Sequence, residues 1–242
     1  MGDNLFDYYI FKSIHNTNDE IKKINQQENE KKKNLALFAL EQKIGRGRAG
    51  KIWYSSRGDL TCSFLINYSL EATKIGQVNL LILSNLLNLL EKMYSNIDFK
   101  FKWPNDIYLN EKKLAGILVE TSLKENATEH ITIGIGMNLI ASSKKTNFKS
   151  ISISDFSNQV DSLNCFFRLS RKISDSFKNF NDINFSYLSN YLTQKCKDFK
   201  KEIKIKKNKK IFKGVFVKID DSGSLIFNVD GRLLNISYGE IL

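Results

Sequence analysis

The alternation of apolar and polar positions predicts a chain of short strands interrupted by a few helices. Apolar residues at helical spacing predict helices at about residues 18–27, 73–95, 165–180 and 185–197. The 73–95 helix is apolar around most of its circumference, but a polar stripe that includes Ser84 and Asn88 indicates a buried core helix. Runs rich in β-branched and aromatic residues predict strands at residues 5–14, 34–41, 60–68, 99–102, 107–109, 113–121 and 130–139.

The C-terminal part of the chain has a different pattern, made of short strands alone. The turn-forming sequences DDSG (220–223) and DG (230–231) separate these strands. We therefore predict a domain boundary near Lys200, with a large domain at residues 1–199 and a small β-barrel domain at residues 200–242. The predicted strands of the small domain are residues 202–207, 210–219, 224–229 and 232–237.

The stretch from Lys102 to Glu120, KWPNDIYLNEKKLAGILVE, predicts a tight hairpin. It contains Pro104, the only proline in the chain, which fixes the local backbone and cannot donate a ladder hydrogen bond. Lys113 opens the second strand of the hairpin, and Gly116 follows three residues later. A lysine at the start of a buried strand, beside a residue without a side chain, can reach a phosphate or carboxylate near the backbone. The alternative is an ordinary hairpin with a solvated lysine, and these residues alone do not decide between the two.

A second stretch, QKIGRGRAGKIW at residues 42–53, combines three glycines with four cationic side chains. Such a loop can bring backbone N–H groups and guanidinium groups against an anion. It matches neither the phosphate loop of nucleotide hydrolases nor the glycine fingerprint of dinucleotide-binding folds. Glycine- and arginine-rich loops also bind nucleic acid, so this stretch by itself is a weak signal.

The predicted strand at residues 130–139 carries its glycines on one face. Ile131, Ile133, Ile135 and Met137 fall on the face opposite to Thr132, Gly134 and Gly136. Glycines on one face of a strand indicate close approach of a ligand or of another backbone. This face is therefore a candidate floor for a binding site.

Composition and charge change this picture only a little. The net charge of +11 is typical of a nucleic-acid-binding protein. The lysines are nevertheless spread along the chain, with one cluster between Lys195 and Lys213 that would attract an acidic partner. A basic nucleic-acid-binding module therefore stays as an alternative.

Cysteine and histidine usage excludes several kinds of site. Cys62, Cys165 and Cys196 show no metal-ligand spacing and are predicted to be free thiols in a reducing compartment. With two histidines in the chain, a histidine-based metal site or catalytic triad has little to build on. The first residues do not resemble a signal peptide, and no run approaches the roughly 20 apolar residues of a membrane span. We therefore expect a cytoplasmic protein that does not enter the membrane.

GRGRAGKIW, followed after about fifty residues by KWPNDIYLNEKKLAGILVE, resembles the biotin protein ligase family. Similar matches are NTND near the start, ITIGIGMNL after the hairpin and YGEIL at the end, so the resemblance covers nearly the whole chain. It implies an α+β fold, in which helices flank a mixed, mostly antiparallel sheet of the class II synthetase and biotin ligase type. It also agrees with a small C-terminal β-barrel. A regulatory branch of the family carries an N-terminal DNA-binding domain, and we expect this chain to be the form without it.

The resemblance also assigns roles to individual residues. It places biotin against nine residues, with Asn16 standing where serine is usual: Asn16, Thr17, Asn18, Gln42, Arg46, Gly47, Arg48, Lys113 and Gly116. It places ATP against Arg48, Trp53, Asn105, Lys113 and Asn138, and it makes Lys113 and Arg48 the catalytic residues. A neutral cyclic urea such as that of biotin needs hydrogen-bond donors and acceptors inside an apolar slot, which suits these polar residues. For Thr17 and Asn18, helix capping alone is an alternative role.

The implied reaction has two steps, in which biotin and ATP form biotinyl-adenylate and a carrier lysine then accepts the biotin. No metal motif is present, so we expect Mg²⁺ to arrive with ATP, with Asp106 as the candidate protein contact. The implied partner is the biotin carboxyl-carrier domain of a carboxylase, with no DNA partner, and the protein is expected to be a monomer or weak homodimer. The nearest enzymatic alternative is a lipoate ligase, which has a similar fold and chemistry; KWPND and GRGRAG argue against it.

Overall fold

The computed structural model describes residues 6–27, 33–125, 127–142, 149–208 and 210–242. The four helices of this part of the chain are α1 (Thr17–Gln27), α2 (Ile75–Met93), α3 (Ser162–Lys178) and α4 (Phe185–Lys195). The strands are β1 (Phe6–Phe11), β2 (Asn34–Ala39), β3 (Gly45–Arg46), β4 (Ile52–Trp53), β5 (Leu60–Ile66), β6 (Lys100–Lys102), β7 (Asp106–Leu109), β8 (Lys112–Lys124), β9 (Ala127–Met137), β10 (Glu202–Lys207), β11 (Lys210–Ile219), β12 (Leu225–Val229), β13 (Arg232–Ile236) and β14 (Glu240–Ile241).

The chain divides into two compact units. The first unit consists of Met1–Ala72 and Leu109–Lys178, and the second of Thr73–Tyr108 and Asn179–Leu242. This division by compactness differs from the predicted domain boundary near Lys200, which stays a prediction.

The first unit is built on a mixed sheet in which five strands lie in the order β1-β2-β5-β9-β8. β1 and β2 are parallel, and every other neighbouring pair in this order is antiparallel. The predicted mixed, mostly antiparallel sheet is therefore confirmed. The long β8 and β9 strands pair with Gly116 opposite Gly136 and with Leu118 opposite Gly134.

Helices cover the two faces of this sheet. On one face, Ile21 of α1 packs into a buried cluster with Leu35, Leu37 and Leu65. On the other face, Phe166 of α3 lies against an aromatic group from β1, β2 and β5, with ring centroids 5.5–6.0 Å apart, that comprises Tyr8, Phe38 and Phe64. Because adjacent strand residues point to opposite faces, the same short strands supply both clusters. This packing fixes the N-terminus of α1 over the sheet.

The second unit combines α2, α4 and the β6–β7 hairpin with a small antiparallel sheet, in which the strands lie in the order β13-β12-β11-β10-β14. The turn of the β11–β12 hairpin packs on the start of α2, because a Cβ atom at Gly76 would lie 2.0 Å from the Ser222 carbonyl oxygen. Trp103 donates a hydrogen bond from Nε1 to the Gly223 carbonyl, 3.1 Å away. The β11–β12 turn thus fastens the small sheet to α2 and to the turn at residues 103–105, here called the proline turn.

The predicted helices and longer strands agree with the observed ones to within a few residues, whereas the two-residue strands β3, β4 and β14 were not predicted. There are two further differences. The first strand ends at Phe11 rather than residue 14, since Ile14 makes only an isolated bridge to Gln42. The C-terminal strands form a sheet with β13 and β14 at opposite ends, so the pairing of the described strands does not close the predicted barrel. Because β14 has two residues, it provides few backbone groups with which β13 could pair to close a barrel. No helix among the described residues is long and apolar enough to cross a membrane.

Candidate active site

The glycine- and arginine-rich stretch forms a tight hairpin, here called the arginine loop (Gly45–Trp53). Gly45 pairs with Trp53 and Arg46 with Ile52. The Gly47 N–H donates to the Lys51 carbonyl at 2.7 Å, and between them the chain turns through the left-handed region at Ala49 and Gly50. Gly45 allows a close crossing, because a Cβ atom there would lie 2.5 Å from the Trp53 carbonyl oxygen.

Glycines of β8 and β9 form the surface beneath the arginine loop. A Cβ atom at Gly136 would lie 2.4 Å from Nε1 of Trp53, so the indole packs directly on the bare backbone. At Gly134, a Cβ atom would lie 2.4 Å from Oδ1 of Asn18. The paired Gly116 extends this surface onto β8. The groups that approach Gly134 and Gly136 are side chains rather than the ligand or second backbone that the sequence indicated, so the binding role of this face stays a prediction.

A buried polar cluster lies at the start of α1. The Gln42 side-chain oxygen accepts hydrogen bonds from the Thr17 backbone N–H at 2.9 Å and from the Thr17 hydroxyl at 3.1 Å. Asn16 caps the helix by accepting from the Asp19 N–H at 3.1 Å, and its amide group donates to the Ile44 carbonyl at 3.0 Å. Thr17 and Gln42, which are distant in sequence, are thereby brought together. Helix capping is the observed role of Asn16.

Lys113 stands at the start of β8, beside the arginine loop. Its ammonium group lies 5.5 Å from the centre of the Trp53 ring, and the side chain is partly buried. Its backbone N–H donates to Lys149 and its carbonyl accepts from Ile151, which hold the strand in place. The arrangement puts a cation and an aromatic ring at the edge of the glycine surface.

Arg46 of the arginine loop bridges two carboxylates. Its guanidinium group lies 2.6 Å from Asp19 in the first turn of α1 and 3.0 Å from Glu120 on β8. Glu120 also accepts hydrogen bonds from Lys22 at 2.8 Å and from Asn18 at 2.9 Å. Burial acts to raise the pKa of Glu120, but the bonds from Lys22 and Asn18 and the charges of Lys22 and Arg46 outweigh it. The pKa of this carboxyl group therefore lies below its ordinary value.

The remaining predicted nucleotide residues divide between the two units. Asn138, at the end of β9, is buried and donates from its amide group to the Ile151 carbonyl at 3.1 Å. Asn105 and Asp106 belong to the second unit, where Asp106 pairs with Lys102 across the β6–β7 hairpin. The described residues contain no group of three or more histidine, cysteine or acidic side chains that could hold a metal ion.

Sequence reasoning missed two polar residues on the glycine face, Ser63 and Glu120, and placed a third, Thr132, on that face without giving it a role. Ser63 of β5 lies opposite Gly134 and hydrogen-bonds Asn18, and Glu120 of β8 lies opposite Thr132. The Thr132 hydroxyl is fully buried and has no hydrogen-bond partner among the described residues. Alternation along GILVE would have put Glu120 on the same face as Gly116, so that residue was within reach of the sequence. Ser63 could be placed on this face only from the pairing of β5 with β9.

Structural comparison first identifies the fold. The structure matches that of the biotin protein ligase of Aquifex aeolicus in complex with biotin and ATP, with a TM-score of 0.80 and 24% identity over 99% of this chain and 98% of that one. It also matches the biotin protein ligase of Leishmania major in complex with biotin, with a TM-score of 0.67 and 18% identity over 96% of this chain and 98% of that one. The fold is therefore that of biotin protein ligases.

Sequence comparison then gives the family. Residues 10–138, more than half of the chain, match the model of the biotin/lipoate A/B protein ligase family, and the chain belongs to that family. It is 31% identical over 140 residues to the bifunctional ligase/repressor BirA of Bacillus subtilis, covering 57% of this chain and 41% of that protein. It is 34% identical over 106 residues to the biotin–[acetyl-CoA-carboxylase] ligase of Paracoccus denitrificans, covering 43% of each chain. The matched segments span less than half the length of these curated relatives.

Proposed function

We propose that this protein is an ATP-dependent biotin protein ligase. The observation that carries the proposal is the convergence of Lys113, Trp53 and the Thr17–Gln42 cluster around the glycine surface. A cation, a flat ring and neutral polar groups meet there over bare backbone. This combination suits a ligand with a carboxylate at one end and a neutral polar ring at the other.

In the first step, an oxygen of the biotin carboxylate attacks the α-phosphorus of ATP, and the bond to the β-phosphate oxygen breaks to release pyrophosphate. Two anions must approach each other, so the protein contributes position and positive charge rather than a nucleophile. Lys113 lies between the reacting carboxylate and phosphate. Arg48 shields the phosphate of the biotinyl-adenylate. Gly47 has no side chain, so the phosphate can approach the loop backbone there.

In the second step, the neutral amine of a carrier lysine attacks the acyl carbon, forming an amide, losing a proton and expelling AMP. The carrier is the biotin carboxyl-carrier domain of a carboxylase. The arginine loop acts as a lid that keeps water and stray amines from the mixed anhydride until the carrier arrives.

The polar cluster at the start of α1 holds the ureido ring of biotin. Gln42 and Thr17 are buried and have a donor or acceptor to offer. The Thr132 hydroxyl adds a buried polar group that a ring nitrogen or oxygen would satisfy. Asn16 and Asn18 lie beside the same cluster. Asn16 stands where serine is usual in the family, so its contact with biotin would be made by an amide instead of a hydroxyl.

Trp53 packs against the adenine, and Asn138 is a further nucleotide contact in this proposal; the nucleotide contact of Asn105 stays a prediction from the sequence. In this proposal Mg²⁺ comes with the phosphates of ATP, whose oxygens are the ligands that this ion prefers. When bound, the ion neutralises phosphate charge, and the oxygen chemistry of the Asp106 carboxylate suits contact with it. The cytoplasmic location, the monomer or weak homodimer and the absence of a DNA partner stay as predictions.

The experiment that tests this function is ATP–pyrophosphate exchange with biotin, with lipoate and with neither. We expect exchange with biotin only, because the Thr17–Gln42 cluster supplies hydrogen bonds that lipoate, which lacks a ureido ring, cannot use. Exchange driven equally well by lipoate would make the protein a lipoate ligase. Absence of exchange together with nucleic-acid binding that falls steeply with salt would instead favour the basic binding module.

A further inference from the structure

Two carboxylates hold the arginine loop at Arg46. Asp19 sits in the first turn of α1 and Glu120 on β8, and the Arg46 guanidinium group spans both. One Arg46 nitrogen contacts Asp19 at 2.6 and 2.8 Å, while the other contacts the two oxygens of Glu120 at 3.0 and 3.2 Å. Charge-assisted contacts to two separate carboxylates restrain the guanidinium group from two sides. A loop residue is thereby attached to a helix and a strand at the same time.

The anchor is itself held in place. Glu120 receives the Lys22 ammonium at 2.8 Å and the Asn18 amide at 2.9 Å, and Asn18 in turn contacts Ser63 and the Gly134 backbone position. The charges of Arg46 and Lys22 balance those of Asp19 and Glu120. Because α1 is fastened to the sheet by its buried Ile21 cluster, the anchoring groups have a rigid support.

This geometry gives Arg46 a structural task. The positive charge of Arg46 is matched by protein carboxylates, which weakens its pull on a ligand anion. We propose that Asp19 and Glu120 are positioning residues that hold Arg46, and with it the arginine loop, over the glycine surface. The loop then presents Arg48 and the Gly47 backbone to the ligand. The consequence for catalysis, retention of the adenylate, rests on the proposed ligase function.

The anchor is tested first by amide hydrogen exchange in peptides that cover Gly45–Trp53. The Gly47 and Lys51 amides are hydrogen-bonded within the loop and report its opening. Glu120→Gln and Asp19→Asn keep size and polarity but remove the charge. Since the ion pairs are partly exposed, we expect each to speed exchange in this peptide about threefold to tenfold. Adding Glu120→Gln to Arg46→Gln should cause little further increase, because both changes break the same anchor.

Glu129→Gln is the matched control, since Glu129 is an exposed carboxylate on the neighbouring strand β9. It should leave exchange of the loop peptide as in the wild type. Equal exchange in the wild type, Glu120→Gln and Asp19→Asn would overturn the anchor. Melting curves identify a variant that is destabilised as a whole, and two separate carboxylate changes keep the comparison decisive if one of them fails to fold.

The second readout is retention of labelled adenylate on a desalting column. The Glu120→Gln variant should release the adenylate at least about threefold faster than the Glu129→Gln control, because it lacks an ion pair that holds the loop. Unchanged retention despite faster amide exchange would overturn the role in catalysis. If the wild type makes no adenylate at all, the ligase function fails, while the amide exchange still decides whether the carboxylates hold the loop.

Discussion

In Lys113, the backbone and the side chain make separate contacts. Its backbone is fixed by bonds to Lys149 and Ile151, while its ammonium group extends to within 5.5 Å of the Trp53 ring. The neighbouring Lys112 is exposed on the same strand and provides a natural comparison.

We predict that Lys113→Gln lowers the rate of adenylate formation about 10²–10³-fold, as expected for removing one preorganised charge at a reacting centre. The measurement is biotin-dependent ATP–pyrophosphate exchange, with a melting curve to establish folding. Lys112→Gln should retain wild-type exchange. A loss below about tenfold in a folded Lys113→Gln protein would mean that Lys113 is an ordinary solvated lysine of the hairpin.

At the scale of elements, the arginine loop is a hairpin whose turn carries Arg48. Ordering such a glycine-rich segment costs about 1–2 kcal/mol per residue, so the loop depends on contacts that offset this cost. In our proposal Arg46 supplies a contact to the protein and Arg48 supplies one to the adenylate phosphate. The apo enzyme is expected to leave the loop more mobile than the adenylate complex.

Arg48→Gly should therefore still make biotinyl-adenylate but release it early. We expect biotin to appear on bystander proteins in a mixed incubation, since the free anhydride acylates any exposed amine. Arg57→Gly, a change at an exposed arginine just beyond the loop, is the control. Equal retention of labelled adenylate by wild type and Arg48→Gly on a desalting column would refute the lid role.

A second element-scale prediction concerns the start of α2. In an exposed helix, replacing glycine by alanine gains about 1 kcal/mol. At Gly76 the new Cβ atom would lie 2.0 Å from the Ser222 carbonyl oxygen, and forced overpacking costs about 1–3 kcal/mol or more. A clash with backbone cannot be relieved by a rotamer change, so Gly76→Ala should destabilise the second unit.

Urea denaturation followed by circular dichroism measures this effect. The exposed Lys92, on the same helix, provides the control, and Lys92→Ala should stay within about 0.5 kcal/mol of wild type. A more stable Gly76→Ala protein would mean that the hairpin turn does not press on α2.

The elements could be predicted from the sequence because each has a strong local signal. Helix α2 has its long apolar pattern, and the β11–β12 turn has the sequence DDSG. The glycine face of β9 followed from strict alternation. The Ser63 contact and the Arg46 bridge could not be predicted, since both depend on which strands lie side by side. The sequence predicted four strands in the small sheet and missed the fifth, β14, which has two residues and is too short to show periodicity.

At the scale of the whole molecule, the small C-terminal sheet is part of the second compact unit. Ile219 donates its N–H to the Thr193 hydroxyl of α4 at 2.9 Å, and the Gly223 carbonyl receives the Trp103 indole. The sheet therefore packs on the helix just before it and also on Trp103, which lies 120 positions before Gly223.

We predict that a chain ending at Phe199 loses the cooperative unfolding of the second unit, because α2, α4 and the proline turn lose their cover. Differential scanning calorimetry should show a smaller and broader transition than the full chain gives. A sharp transition in the shortened chain would instead make residues 1–199 an autonomous domain, as the boundary near Lys200 predicts.

The two tryptophans of the chain are divided between the two units. Trp53 is partly exposed on the arginine loop beside the Lys113 ammonium, whereas Trp103 is 2% exposed and donates to Gly223. Indole emission depends on the polarity around the ring, so each unit carries its own natural fluorophore. With Trp103→Phe, emission would follow the arginine loop as ligands bind; with Trp53→Phe, it would follow the turn that fastens the small sheet, without any attached dye.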